Sequence, residues 1–427
     1  MARTFRHPDP SAKLSVNGSR STLVALALFA VAWAGSAVPD SLSAQTAAQT
    51  QELKEPTTAR FGTIATSVRA LDERDDPSAM LYRVEDRLAA NKVPGVAMAI
   101  IEDGAVAFVA GYGSRRASGE ETVDDDTVFS AGSISKLVNA ALVLRLVQNG
   151  TLDLDADITT YLKRWTPPES RRARGAKITL RQILSHTSGF SQGGFPDFQP
   201  DEPVPTLLQT LNGEKPAKHK AIRIRSRPGE RMSYSGGGTT VAQMIVEDAT
   251  GLSYEEAART WVFEPLSMER STFASPLPED YGNIAYAHDE DGDATALPRG
   301  YETFPEQAAS GLWTSANDLA RFILAFTSDE AFLREDLRVL VTSRAENSWH
   351  GLGPRINGEG QGLVVHHGGS NQSYQSWVEF HPGTGDGFVA LTNGANGRRL
   401  AYELRIAAQD QLGWSIRFPD AFSTPEL

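Results

Sequence analysis

Residues 95–112 read Gly-Val-Ala-Met-Ala-Ile-Ile-Glu-Asp-Gly-Ala-Val-Ala-Phe-Val-Ala-Gly-Tyr, and this stretch decides the class of fold. Two apolar runs flank Asp103-Gly104, a dipeptide that favours the tight turn of a β-hairpin. Strand-like runs recur near the other end of the chain, at 362–366, 377–380 and 388–391, and an amphipathic helix pattern follows over 399–412. Strands from both chain ends with short connections predict one antiparallel sheet with helices packed on it.

The middle of the chain has a different pattern. Thr179 and Gln182 have the spacing of a helix capping box. Further helix signals cover 239–248, 254–262 and 316–326. We therefore predict an α+β fold. Its antiparallel sheet domain comes from 79–150 and 346–415 and is flanked by helices, and a mainly helical region is inserted at 151–345.

The chain has 427 residues and no cysteine, so disulfides, thiol catalysis and cysteine-based metal sites are excluded. Basic residues precede an apolar run over 23–34 and small residues follow it, which predicts a secretory signal peptide over 1–44. Residues 45–78 are predicted to be a linker or a poorly ordered arm, and 416–427 a C-terminal tail. The expected location is therefore periplasmic or extracellular, with membrane attachment only if the signal segment stays uncleaved.

Charge narrows the class of partner. The formal net charge is −12, and residues 1–44 hold four basic and two acidic side chains, so the remaining chain is near −14. Such a negative charge argues against nucleic acid and anionic membrane surfaces as partners. It gives no information on the oligomeric state.

Residues 131–136 read Ala-Gly-Ser-Ile-Ser-Lys, and a run that is apolar on all sides follows to Gly150. Such a run predicts a helix buried in the middle of a domain. Three residues along a helix bring Lys136 to the same face as Ser133, where an amine can remove the hydroxyl proton. The first turn of a helix also favours developing negative charge. The pattern predicts Ser133 as a nucleophile with Lys136 as its neighbour.

Two later stretches can complete such a site. Tyr234-Ser-Gly236 opens a glycine-rich loop before the 239–248 helix, where the bare backbone allows close approach and a tyrosinate can act as a base. His366-His367-Gly368-Gly369-Ser370 ends a predicted strand, and the N–H groups of Ser370 and Ser133 can form an oxyanion hole. Adjacent histidines in a strand point to opposite faces, which argues against a metal site.

Other patterns are interpreted as structural. Gly189-Phe-Ser191-Gln-Gly193 matches the G-x-S-x-G elbow of α/β-hydrolases, but the elbow needs a preceding strand and a following helix, and here a helix pattern precedes it. We interpret it as a helix end followed by a loop, with His186 a helix-end histidine favoured by the helix dipole. The acidic stretch 288–293 is followed by Ala294 and Gly300 where a calcium loop needs Gly and Glu, so it is interpreted as a solvated turn.

The order of the motifs resembles a known family. The series runs Ser133-x-x-Lys136, His186-Thr-Ser-Gly189, Tyr234-Ser-Gly236, Pro265-Leu-Ser-Met268, Ala308-Ala-Ser-Gly-Leu312 with Asp318-Leu-Ala-Arg-Phe322, and His367-Gly-Gly369. It resembles the serine β-lactamase-like family, with class C β-lactamases, D-alanyl-D-alanine carboxypeptidases, D-aminopeptidases and family VIII esterases as the most similar members. The resemblance covers residues 80 to 413 and implies the β-lactamase/transpeptidase-like fold.

The resemblance also implies roles. Ser133 would be the acylated nucleophile, Lys136 its base or proton relay, and Tyr234 the group that deprotonates Ser133 or the deacylating water and protonates the leaving group. Which of Lys136 and Tyr234 is the acylation base stays open, and no metal or organic cofactor is implied. Two departures matter. The asparagine of Tyr-x-Asn is Gly236, which lacks the amide that grips an acylamide, and the lysine of Lys-Thr-Gly is His367, whose charge is lost or pH-dependent.

We therefore expect an exported serine hydrolase that forms an acyl-enzyme on Ser133. Its substrate would be a small-molecule ester, amide or peptide, which makes the protein an esterase or a D-amino-acid peptidase rather than an efficient β-lactamase. A penicillin-binding or sensor protein with the same pocket but no turnover is the alternative, and an α/β-hydrolase using Ser191 is a third reading.

Overall fold

A computed structural model describes residues 60–117, 119–198, 202–295 and 303–414. The predicted signal peptide at 1–44 and the tail at 416–427 lie outside the described residues. Within the described ranges, no helix has the length and hydropathy needed to cross a membrane.

The central element is a six-stranded antiparallel sheet in the order β2-β1-β8-β7-β6-β5. The strands are β1 (Gly95–Glu102), β2 (Ala105–Gly113), β5 (Arg355–Asn357), β6 (Val364–Ser370), β7 (Gln375–His381) and β8 (Asp386–Thr392). A second, two-stranded sheet pairs β3 (Phe129–Ser130) with β4 (Trp313–Thr314). The β1–β2 turn is the predicted hairpin turn: Asp103 and Gly104 both have positive φ, as a two-residue primed turn requires. The N-terminal hairpin pairs with β8, so the predicted sheet from both chain ends is confirmed.

Ten α-helices accompany the sheets in the described residues. They are α1 (Val84–Asn91), α2 (Ser135–Gln148), α3 (Leu180–Leu184), α4 (Leu207–Asn212), α5 (Gly236–Thr250), α6 (Tyr254–Ala258), α7 (Gln307–Ser310), α8 (Ala316–Ser328), α9 (Glu335–Thr342) and α10 (Gly397–Leu412). The predicted capping box starts α3: Thr179 Oγ1 accepts a hydrogen bond from Gln182 N, and Gln182 Oε1 accepts one from Thr179 N. The α+β fold class is thereby confirmed.

Both faces of the large sheet are buried, and successive residues of a strand point to opposite faces, so one strand contributes to two cores. Along β1, Val96, Met98 and Ile100 join a core that includes apolar side chains of α1 and α10. Ala97, Ala99 and Ile101 join the larger core, which contains the apolar faces of α2 and α8. The sheet therefore holds a helix layer on each side, and the second side carries the helix that follows Ser133.

Two predicted boundaries need correction. Residues 60–78 belong to the fold and are not a poorly ordered arm: Phe61, Ile64 and Val68 are fully buried against the α1 and α10 side of the sheet. Spaced apolar side chains in a polar stretch gave too weak a periodic signal to predict this packing. The sequence predicts that 316–326 lies in the inserted region at 151–345, but helix α8, which contains it, packs its buried face on strands β1, β7 and β8.

Candidate active site

Ser133 lies in a single 3-10 turn, Gly132–Ile134, directly before α2. The turn is pressed against the end of β6. A Cβ on Gly132, which has a φ of +51°, would lie 2.9 Å from Ser370 N, and a Cβ on Gly369 would lie 2.0 Å from Ala131 O. Glycine is therefore required on both sides of this contact, and the strand end fixes the position of Ser133.

Further hydrogen bonds hold the same turn. Ser376 Oγ on β7 donates to Ala131 O at 2.9 Å. Ser135 Oγ donates to Gly132 O at 2.6 Å and accepts from Leu312 N at 2.9 Å. The turn that carries Ser133 is thus attached to the sheet on one side and to the segment after α7 on the other.

Lys136 is buried in the first turn of α2, with only 3% of its surface exposed. Its Nζ donates to Ser133 Oγ at 3.0 Å and to Ala309 O at 2.7 Å. No carboxylate forms a salt bridge with it within the described residues. Lys136 therefore has the reach that the sequence spacing predicts, and its hydrogen-bond partners are neutral oxygens.

Tyr234 lies on the other side of Lys136, with its ring centroid 5.0 Å from Lys136 Nζ. The three glycines after it were expected to form a loop, but they form the first turn of α5. Ser235 is the N-cap residue and accepts a hydrogen bond from Gly238 N at 2.8 Å. A Cβ on Gly237 would lie 2.3 Å from Ser191 O, so the glycines are needed because α5 begins against the 191–193 segment.

Position 236 explains the missing asparagine. A Cβ on Gly236 would lie 2.9 Å from Gly193 O and 3.0 Å from the Phe195 ring. The Phe195 ring, which packs edge-on against His219 at a centroid distance of 4.9 Å, occupies the side of Tyr234 where a side-chain amide would emerge. This site therefore presents an aromatic surface at that point.

Three buried imidazoles surround Tyr234. Ring centroids of His186, His350 and His367 lie 4.4, 6.1 and 6.2 Å from the Tyr234 centroid. Burial lowers the pKa of His350 to about 3 and holds the pKa values of His186 and His367 well below the usual range. All three are neutral at ordinary pH.

The burial of these histidines tests two interpretations made from the sequence. His367 is not a pH-dependent replacement for the lysine of the family's Lys-Thr-Gly motif, because burial keeps its imidazole neutral. His186 does lie just after α3, but the dipole interpretation is wrong, since the side chain is 3% exposed, packs under Tyr234 and accepts a hydrogen bond from Ser235 N at 3.2 Å.

The neighbouring His366 points away from the site. It stacks on Trp377 at a centroid distance of 5.1 Å on the α10 side of the sheet, whereas His367 faces Tyr234. This confirms the predicted opposite orientation of the two histidines. Gly368 and Ser370 continue β6, and Ser370 N lies beside Gly132, so the two N–H groups predicted as an oxyanion hole come from segments in direct contact.

Ser191 has a structural role. Its Oγ accepts a hydrogen bond from Arg223 N at 2.9 Å, and among the described residues after it no helix begins before α4. The strand-turn-helix arrangement of a nucleophile elbow is therefore missing. The acidic stretch at 288–293 is a turn in which Asp289 Oδ1 accepts from Asp291 N and Asp293 N, and the described residues contain no cluster of side chains suited to a metal ion.

Sequence reasoning missed three members of the site. His350 and Arg355 come from a loop and an edge strand, and the Arg355 guanidinium carbon lies 5.9 Å from the Tyr234 centroid. The third is the carbonyl of Ala309, which holds Lys136. No local pattern marks a backbone acceptor or a lone histidine, although Ala309 lies in a stretch already noted for its resemblance.

Comparisons with known proteins find relatives in sequence and in structure. Penicillin-binding protein 4 of Amycolatopsis lactamdurans is 26% identical over 362 residues, which are 78% of this chain and 89% of that protein. Esterase EstB of Burkholderia gladioli is 30% identical over 301 residues, 61% of this chain and 74% of that protein. The solved structure of an octameric penicillin-binding protein homologue from Pyrococcus abyssi matches with a TM-score of 0.60 at 24% identity and covers 77% of both chains, which supports the fold.

The family assignment rests on the model of one family, described as Beta-lactamase, which matches residues 82–412. This range contains the sheet, Ser133, Lys136, Tyr234 and His367. The chain therefore belongs to the β-lactamase family, the serine hydrolase family of penicillin-binding proteins and esterases.

Proposed function

We propose that this protein is an exported serine hydrolase that forms an acyl-enzyme on Ser133 and acts on an ester or a short D-amino-acid peptide. The observation that carries the proposal is the 3.0 Å contact between Lys136 Nζ and Ser133 Oγ at a buried position beside Tyr234. Nucleophile and base within hydrogen-bond reach, with the base held by a third group, form the arrangement that activates a serine. Here the third group is the Ala309 carbonyl.

The proposed reaction is an acyl transfer, first to Ser133 and then to water. Ser133 Oγ attacks the carbonyl carbon, and its proton passes to Lys136 or, through Lys136, to Tyr234. The tetrahedral oxyanion is stabilised by the N–H groups of Ser133 and Ser370. The bond from the carbonyl carbon to the leaving group breaks, and the departing alcohol or amine takes the proton, which leaves acyl-Ser133. A water then attacks the acyl carbon and the same groups accept its proton. The bond to Ser133 Oγ breaks as that proton returns to Oγ, and the carboxylic acid leaves.

The departures from the family pattern favour an ester over a β-lactam. The Phe195 ring occupies the space of the asparagine side chain, and His367 is neutral, so the two side chains of the family pattern that would contact an acylamide and a carboxylate are both missing. An ester needs neither contact for acylation. The similarity to an esterase supports the same choice, and the similarity to a penicillin-binding protein motivates the alternative of acylation without turnover.

A labelling experiment tests the proposal. The chain without residues 1–44 is treated with a fluorophosphonate probe and with a fluorescent penicillin, the labelled residue is identified by mass spectrometry, and hydrolysis of p-nitrophenyl butyrate is measured. Ser133→Ala should lose both the label and the turnover. Ser191→Ala is the matched control, and it should keep the label even where it weakens the fold.

The outcomes separate the readings. Label on Ser133 with ester turnover supports the hydrolase, and stable acylation by penicillin without turnover of any ester supports the sensor protein. Label on Ser191 would contradict both. Export is tested separately, by fractionating cells that express the full chain and sequencing the N-terminus of the recovered product.

A further inference from the structure

A cleft of about 510 Å³ reaches Tyr234 from the surface. One wall is the segment 190–193 and the other comes from the segment 219–225. None of its lining residues belongs to β6, so this cleft lies apart from the side of the site where His367 replaces the family lysine.

The two walls are joined by backbone hydrogen bonds. Ser191 N donates to Arg223 O at 2.7 Å, and Arg225 N donates to Gly189 O at 2.7 Å. Ser191 Oγ accepts the Arg223 N–H, which closes a short antiparallel pair around Phe190. These hydrogen bonds fix the backbone of the two segments relative to each other, and so fix the positions from which the lining side chains extend.

The wall at 219–225 is strongly cationic. Residues 215–231 hold seven lysines and arginines and one acidic residue, in a chain whose net charge is −12. Ile222, Ile224 and Ser226 are buried, and the arginines between them are exposed, so the segment presents its cations on one face. Lys220 and Arg225 are the cations of this wall that line the cleft.

These two cations have no salt-bridge partner within the described residues. Two carboxylates that contact this wall are engaged by its other residues: Glu306 lies fully buried, 3.8 Å from His219 Nε2, and Glu202 pairs with Lys218. The Arg172 guanidinium, which lines a neighbouring depression, donates to Arg225 O and brings no carboxylate to the cleft. The uncompensated cations raise the potential of the cleft, which favours a negatively charged ligand group.

We infer that the cleft is a subsite for an anionic group, a carboxylate or phosphate, carried by the substrate at a distance from the bond that Ser133 attacks. Lys220 and Arg225 are the specificity-determining residues, and Arg225 offers the planar pair of donors that suits either oxyanion. This inference rests on the proposed hydrolase function and narrows its substrate to anionic esters or acyl peptides.

The test compares two esters with the same leaving group. One is p-nitrophenyl butyrate, which is neutral, and the other is mono-p-nitrophenyl glutarate, which ends in a carboxylate. In the double variant Lys220→Gln/Arg225→Gln, the ratio of kcat/KM for the glutarate to that for the butyrate should fall about tenfold, mainly through KM, since each exposed charge contributes modestly. Turnover of the butyrate should stay within about twofold, because neither residue touches the reacting atoms.

The matched control is Arg227→Gln/Arg231→Gln, which removes the same charge from the same segment but from a neighbouring depression. It should leave the ratio within about twofold, and added salt should lower the ratio for the wild type but hardly for the cleft variant. An unchanged ratio in the cleft variant, or an equal fall in the control, overturns the subsite while butyrate turnover keeps the hydrolase. Absence of both turnover and Ser133 labelling in the wild type overturns both.

Discussion

The contact between β6 and the Ser133 turn predicts the effect of one added methyl group. In Gly369→Ala the new Cβ would lie 2.0 Å from Ala131 O and 2.2 Å from Ser376 Oγ, so the strand and the turn must separate by at least about 1 Å. A displacement of that size at a reacting group costs about 100-fold in rate. We expect kcat/KM for p-nitrophenyl butyrate to fall about 100-fold or more, with a loss of about 1–3 kcal/mol in the free energy of unfolding.

Gly368→Ala is the matched control, one residue earlier on the same strand. Its Cβ would meet the Trp377 ring at 3.4 Å, an ordinary contact on the opposite face of the sheet. Activity should stay within about threefold of the wild type. Urea unfolding establishes that both variants are folded before rates are compared. If folded Gly369→Ala matches Gly368→Ala in kcat/KM, the close fit of strand and turn does not position Ser133, and the reasoning fails.

Three further predictions concern buried ionisable side chains. Burial raises the pKa of Asp318 to about 6, so its protonated form favours the fold and stability should fall by about 3 kcal/mol as pH rises from about 4 to 6. Asp318→Asn should flatten that slope in urea unfolding at pH 4 and 7, and an unaltered slope would contradict the assignment. Arg405→Met should cost about 3–5 kcal/mol, because it leaves the fully buried Glu379 carboxylate, 2.7 Å away, without its cation; Glu379→Gln in the same chain should recover most of that loss, and an additive double variant would refute the pairing. His367→Gln should leave the pH–rate profile unchanged between about pH 5 and 9, whereas His367→Lys should alter it; a profile that shifts in the Gln variant would show that His367 titrates there.

Much of the sheet could be predicted because its signals are local. Asp103-Gly104 marks a turn by its own backbone preference, and the apolar runs on either side fix the length of the hairpin. Residues 60–78 and α8 show the limit of this reasoning. Their placement depends on which surface each apolar stripe meets, and that is decided by the topology of the whole chain.

The site follows the same division. The Ser133–Lys136 contact depends on one helical turn and could be predicted from spacing alone. His350, Arg355 and the Ala309 carbonyl reach the site only through tertiary packing. The glycines after Tyr234 were visible in the sequence, but their reason was not: they admit the 191–193 segment against α5, a contact between segments that are 43 or more residues apart.

The Ser133 turn and the walls of the cleft are held by different parts of the chain, so substrate specificity can evolve separately from the position of Ser133. The turn packs against β6 and is hydrogen-bonded to β7 and Leu312. The walls of the cleft come from 190–193 and 219–225 and make none of these contacts. A library that randomises exposed positions between 190 and 225 should sample new recognition without displacing Ser133, the proposed nucleophile. Under the proposed function, new specificities should therefore be reachable in single substitutions that leave the proposed acylation site intact.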